Sequence, residues 1–298
     1  MTGVHGFWLW GLVACSMGGV ALQAAWAEEA PGVEQADWVF LENESFRLGL
    51  IKSAGGAMGY FSKVGEKKNL LNHYDRGRLI QQSYYGDADG SMWGDKSWRL
   101  NPVQGGDYQG AVPPLVETKV TATTFYGKSI PLHWATGAKL ADFVLEQWIE
   151  LRYDHVHARF RMTYRGTRTH APRHQELPAV FLNPSLSELV LFQGPAPWTG
   201  QPLARKQPGQ TNEYFDLPER WAAFVDESGH GVGVCVPTAP QLTSYRFRSG
   251  AGSDCSYLAP IATFALQPNM TFEYDAYFFI GNAEEIRARC EPLARPKE

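Results

Sequence analysis

After Pro31, apolar and polar residues alternate with a period of two in many short runs, separated by glycine, proline, asparagine and aspartate. Successive side chains of a strand point to opposite faces, so this period marks half-buried strands. Phe46, Leu48 and Leu50 share one strand face. The segment FVLEQWIELRYDHVHARFRMTY, Phe143 to Tyr164, predicts one long strand or two joined by a turn near Asp154, with large residues on both faces. Further strands are expected at Ala179 to Leu182, Trp221 to Asp226, Val232 to Pro237, Tyr257 to Phe264 and Thr271 to Ile280. DESGHG, between Val225 and Val232, predicts a hairpin turn in which Gly229 and Gly231 supply the unusual dihedrals. One helix is expected, Ala283 to Arg289, capped by Asn282. So many strands without a repeat of 20–50 residues predict an all-β chain, a large antiparallel β-sandwich with few short helices. No linker divides it, so residues 28–298 are expected to form a single domain.

Composition narrows the class of partner. The chain has 298 residues, 13% of them aromatic, and a formal net charge of -4. With no lysine or arginine run, it lacks the electrostatic footprint of a protein that binds nucleic acid or anionic lipid. FWLWGLVACSMGGVALQAAWA is apolar and ends in Ala25-Trp26-Ala27, after which Glu28, Glu29 and Pro31 change the composition abruptly. That pattern predicts a signal peptide over residues 1–27 and an exported chain, periplasmic or extracellular. Leu12-Val13-Ala14-Cys15 resembles a bacterial lipobox and allows a lipoprotein anchored through Cys15. No other stretch approaches the roughly 20 apolar residues needed to span a bilayer, so no stable membrane insertion is expected once the leader is removed. Cys235, Cys255 and Cys290 then remain, enough for one intramolecular bridge, and Cys235 to Cys255 is the expected pair. No cysteine or histidine cluster has zinc spacing, and no metal or other cofactor is expected. NES at Asn43 and NMT at Asn269 are glycosylation acceptor patterns.

Chemistry concentrates in residues 74 to 108. YDRGRLIQQSYYG, residues 74 to 86, puts two arginines, two glutamines and three tyrosines within thirteen residues, and SMWGDKSWRLNPVQGGD follows closely. Saccharide recognition needs flat aromatic faces against C–H patches and forked polar groups for hydroxyls. Tyr84, Tyr85, Trp93 and Trp98 offer the faces; Arg78, Gln81, Gln82, Asn101 and Gln104 offer the forks and amides. Strand alternation lets only half of this set face one way, either Gln81 with Ser83 or Arg78 with Gln82 and Tyr84. The competing structural account pairs Arg78 with Asp75 or Asp107, spends the glutamines on buried backbone and uses the aromatics as filling.

The segment THAPRHQELPAVFLNP holds His174, Gln175 and Glu176 just before a proline-bounded strand. Glu176 could donate a proton to a leaving oxygen if burial raises its pKa, with Asp107 or Asp75 as a second carboxylate. Alternatively it caps the loop or pairs with Arg173. His133, beside Trp134, is a further titratable candidate. Glu146, Trp148 and Glu150 share one strand face, which either lines a groove or meets water. GPAPWTG displays Trp198 on a rigid loop, and Glu219 is a third carboxylate; Trp221 reads as core.

Two segments at the chain's ends carry a resemblance. SAGGAMGYFSKVGEKKNLLN, a glycine-rich turn leading into a strand, resembles the opening of galactose-mutarotase-like proteins, and FALQPNMTFEYDAYFFIGN, a Leu-x-Pro turn before a long aromatic strand, resembles their closing pair. The resemblance implies the supersandwich fold shared by aldose epimerases, several polysaccharide lyases and some glycoside hydrolases, within an exported family associated with polysaccharide use. Asn72-His73-Tyr74-Asp75 begins like the epimerase signature and then diverges, so a typical aldose epimerase is not implied. A sugar epimerase, weakened by the missing signature, is the last of four expected functions; the other three act on a poly- or oligosaccharide. The first is a glycoside hydrolase with Glu176 as acid. The second is a lyase acting on a uronate through Tyr84 or Tyr85 with His133 or His174, and the third is a noncatalytic carbohydrate-binding envelope protein.

Overall fold

The structure is a computed structural model that describes residues 37–250 and 252–295; the expected signal peptide and Cys15 lie outside the described residues. Nearly every regular element is a strand, and every strand pairing is antiparallel. Two large sheets dominate. The front sheet has seven strands in the spatial order Leu132–His133, Pro102–Val103, Gln81–Ser83, Arg173–Leu182, Cys255–Phe264, Gln241–Phe247 and Glu213–Asp216. The back sheet has nine, running from Ala204–Lys206 through Glu188–Leu191, Trp221–Val225, His230–Cys235, Met270–Asn282, Val156–Tyr164, Phe143–Leu151 and Thr124–Ser129 to Leu115–Val120. A three-stranded sheet, Trp38–Glu42, Phe46–Ile51 and Ala57–Lys63, adds to one end, and a separate hairpin pairs Ala88–Trp93 with Lys96–Arg99.

The core lies between the large sheets. Leu177, Val180, Leu182 and Leu258 of the front sheet meet Leu145, Phe160, Phe224 and Phe278 of the back, and Phe46 and Leu48 join the same cluster. Each fully buried side chain of this size contributes about 1.5–3 kcal/mol of transfer free energy, enough to set which face turns inward. The segment from Phe143 forms two strands, Phe143–Leu151 and Val156–Tyr164, and Asp154 lies in the turn that joins them. The hairpin after Val225 needs both its glycines for different reasons. Gly229 sits at φ 80°. A Cβ on Gly231 would come within 1.9 Å of the Phe224 carbonyl oxygen, so its role is close approach rather than dihedral freedom.

The helix runs Ala283–Ala294, longer than the sequence predicts, because Ala283, Ile286 and Cys290 continue one buried stripe against the back sheet. Asn282 and Glu285 close a reciprocal capping box at its start. The expected Cys235–Cys255 bridge is absent: all three described cysteines are free and buried. Cys235 is on the back sheet beside Cys290 of the helix, whereas Cys255 belongs to the front sheet, so the sandwich separates the expected partners.

Candidate functional site

The outer face of the front sheet, covered by the Ala88–Arg99 hairpin and the loops at 74–78 and 210–212, encloses a cavity of about 560 Å³. That lies within the size range of small-molecule sites. An irregularity in Arg173–Leu182 builds its floor. Strict alternation would set Glu176 on the face of Val180 and Leu182, which point into the core. The register shifts between Glu176 and Val180, at Leu177-Pro178, so that Glu176, Ala179 and Phe181 all line the cavity.

Glu176 is the chemical centre. The Tyr257 hydroxyl donates to its Oε1, and Ser83 and Tyr85 also hydrogen-bond its carboxyl. Among the described residues no ion pair reaches it. Burial therefore pushes its pKa up, and the three hydroxyls oppose that only in part. Burial and the adjacent Glu176 drive the phenols of Tyr85 and Tyr257 well above their ordinary range, so both remain protonated donors. Tyr257 continues across the strands as an aromatic row with Phe181, at 4.7 Å between ring centroids, and Tyr245, at 4.5 Å.

Tryptophans form the opposite wall. Trp93 from the hairpin meets Trp98 at 4.9 Å and Trp134 at 5.9 Å, both edge-to-face. Gly77 lets Trp134 lie against the loop, since a Cβ there would stand 2.4 Å from the indole. Asn101 accepts from the Trp98 indole at 3.3 Å and donates to the Tyr84 carbonyl at 2.8 Å, tying the hairpin base to the sheet. Arg78 lies 3.4 Å from Asp75, and its guanidinium also donates to the Ser253 carbonyl.

The structure thus brings Glu176, Asp75, Arg78, Gln81, Tyr85, Trp93, Trp98 and Asn101 to one cavity. Of the alternatives at residues 81–84, the face of Gln81 and Ser83 is the one turned to it. Gln82 and Tyr84 point inward, where Gln82 donates to the Glu146 carbonyl at 3.0 Å and accepts from the Tyr84 hydroxyl at 2.9 Å. Even Gln81 is committed to backbone, donating to the carbonyls of Arg76 and Gly77 and accepting from Gly105. Gln104 likewise bonds Gly55 and Gln82.

The other expected site residues lie apart from this cavity. Asp107 accepts the amides of Gln109 and Ala111 and so folds its own loop. His133 is buried, its Nδ1 accepting from the Ala135 amide and its Nε2 2.8 Å from Asp89, which pins the hairpin. His174 is exposed and edge-on to Tyr214. Trp148 lies on the outer face of the back sheet between Tyr126 and Arg161. At the back sheet's helix-covered side, the Trp198 amide donates to Glu219 at 2.6 Å. Sequence reasoning missed Tyr245 and Tyr257, because strand tyrosines alternating with apolar residues read as core; only the cross-strand register places them beside Glu176.

No group of three or more histidines, cysteines, aspartates or glutamates that could hold a metal occurs among the described residues, and none of their helices is long and apolar enough to cross a membrane. No family model matches the sequence, and no curated protein does. Solved structures do. A galactose mutarotase-like protein from Lactobacillus casei matches with a TM-score of 0.56 at 10% identity, over 82% of this chain and 99% of that one. A galactose mutarotase related enzyme from Lactobacillus acidophilus matches with a TM-score of 0.51 at 11% identity, over 82% and 97%. The Slr1438 protein from Synechocystis matches with a TM-score of 0.51 at 14% identity, over 82% and 96%. At these identities the likeness is one of architecture, and it follows the order of strands described above: the chain has the galactose-mutarotase-like supersandwich fold.

Proposed function

We propose that this is an exported carbohydrate-active enzyme that holds a poly- or oligosaccharide against the tryptophan wall and cleaves a glycosidic bond, with Glu176 as general acid. The observation that carries the reading is a carboxyl whose protonated form burial favours, without a counter-cation, on the floor of an aromatic-walled cavity. In that state it can pass its proton to the glycosidic oxygen as the C–O bond breaks. Asp75, on the same cavity, is the second carboxylate and takes a proton from the water that adds to the anomeric carbon.

Elimination on a uronate is less well supported. It needs a base, and the phenols of Tyr85 and Tyr257 are held protonated. A second reading, acid–base chemistry on a free reducing sugar, is favoured by one observation: Arg78 holds Asp75, which leaves Glu176 as the cavity carboxyl without a cation. Tryptophan fluorescence titrated with a panel of oligosaccharides, followed by reducing-end release and absorbance of unsaturated products, separates these outcomes. Quenching with reducing-end release supports hydrolysis, and ultraviolet absorbance would assign elimination. Quenching without any turnover leaves a binding protein, and no quenching by any saccharide removes the reading altogether.

A further inference from the structure

A larger cavity, about 750 Å³, adjoins the first. The two meet at Asp75, which lines both, and the segment 73–78 is their common wall. Each alone matches the size of a complete small-molecule site, so one sugar ring does not fill the pair. Tyr74, 57% exposed, belongs to this wall, and Tyr108 also lines the cavity.

The charges in the second cavity are unequally used. Its acids are satisfied by the protein: Asp37 accepts from the amide and hydroxyl of Ser53, and Asp75 accepts from the Gly77 amide and pairs with the charge of Arg78. Its cations are not. Only Nη1 of Arg76 has a hydrogen-bond partner, Ser53; Asp37 and Asp107 act on its charge from a distance, but among the described residues no carboxylate lies within ion-pair distance of the guanidinium, which leaves its other N–H groups free. Lys52 is exposed and has no ion pair among them either. His73 adds no charge at neutral pH, because burial lowers its pKa. In a chain of net charge -4, this cavity therefore offers spare cationic donors.

We infer that the ligand is an acidic oligosaccharide, one sugar lying by the tryptophans and Glu176 while a neighbouring sugar places an anionic group, carboxylate or sulfate, against Arg76 and Lys52. This rests on the saccharide reading of the Glu176 cavity. A guanidinium with free donors suits either anion, since both present paired oxygens to its fork.

Isothermal titration of the full chain tests it with tetragalacturonate, its methyl ester, a sulfated oligosaccharide with its desulfated form, and a neutral xylotetraose. The acid is expected to bind about tenfold tighter than its ester, the scale of one charge-assisted contact. Combining Arg76→Gln with Lys52→Gln is expected to bring that ratio to about one. Lys52→Gln alone, on an exposed side chain, is expected to cut it at least twofold and keeps the test open if the double variant does not fold. A sulfated-over-desulfated preference lost in the same variants supports the site with sulfate as the anion. Neutral binding with no preference for either anion, or a preference that survives the double substitution, overturns this inference while leaving the first cavity's reading standing. Absence of binding by all five saccharides overturns both.

Discussion

Two glutamates, one on the outer face of the front sheet and one at the helix-covered side of the back sheet, are held in different ways. Glu219 is 1% exposed and meets Arg287 in a two-point ion pair, Nη2 to Oε1 at 2.5 Å and Nε to Oε2 at 2.9 Å. It also accepts from the Trp221 indole and the Trp198 amide, joining the helix to the 194–200 loop and back sheet. Glu176 receives hydroxyl groups and no cation. A carboxylate tied to an arginine by two points becomes a fastener; one that faces phenols, with its pKa raised by burial, is better suited to give a proton away. The side-chain type is the same, and the partner decides between structure and chemistry.

The largest effect expected from this contrast is on turnover. Glu176→Gln preserves shape and hydrogen bonding but cannot donate the proton, so kcat should fall by about 10²–10⁴-fold while saccharide affinity, read by tryptophan fluorescence, stays close to wild type. Unchanged turnover would place Glu176 with the structural residues and erase the contrast. Next comes Glu219→Gln, which leaves the partly buried Arg287 without its counter-charge. Breaking such a pair costs about 3–5 kcal/mol, and thermal unfolding should show a drop of roughly 2–4 °C for each kcal/mol.

Aromatic walls sharpen the contrast further. Trp93→Ala should weaken saccharide binding about tenfold, the order expected when a ring contact and its buried area are lost. Trp148→Ala, on the opposite sheet face, should leave that affinity unchanged in the same titration. The smallest effect concerns pH. Because the folded pKa of Glu176 is raised, its contribution to stability is complete at pH values below the unfolded carboxyl pKa and is lost as pH rises through the folded value. The Tm of Glu176→Gln should therefore gain on wild type with rising pH. A constant difference from acid to mildly alkaline pH would mean that Glu176 is solvated like any surface carboxyl.

How much of this was legible in the sequence follows from which interactions are local. The two-residue period at Phe143 to Tyr164, the turn at Asp154 and the cap at Asn282 depend on neighbours in the chain, and the structure repeats them. Glu176, Tyr85, Trp93 and Trp98 stood out by residue type and do share a cavity. The glutamines misled for a physical reason. An amide fork suits a sugar hydroxyl and a peptide group equally well, and Gln81, Gln82, Gln104 and Gln175 spend theirs on backbone that the sheets leave unpaired. Asp107 and His133 look like acid–base groups in sequence and serve as loop fasteners in space.

The amino-acid sequence by itself determined the all-β class, the turns at Asp154 and after Val225, and the concentration of rings and polar forks before residue 108, since alternation and turn chemistry act over a few residues. Only the tertiary structure decided which face of Gln81–Ser83 meets the cavity, that a slip at Leu177-Pro178 turns Glu176 outward, and that Tyr257 closes on it from 81 residues away. Those outcomes depend on strand register, which is fixed by the packing of two whole sheets and has no counterpart in any short stretch of chain.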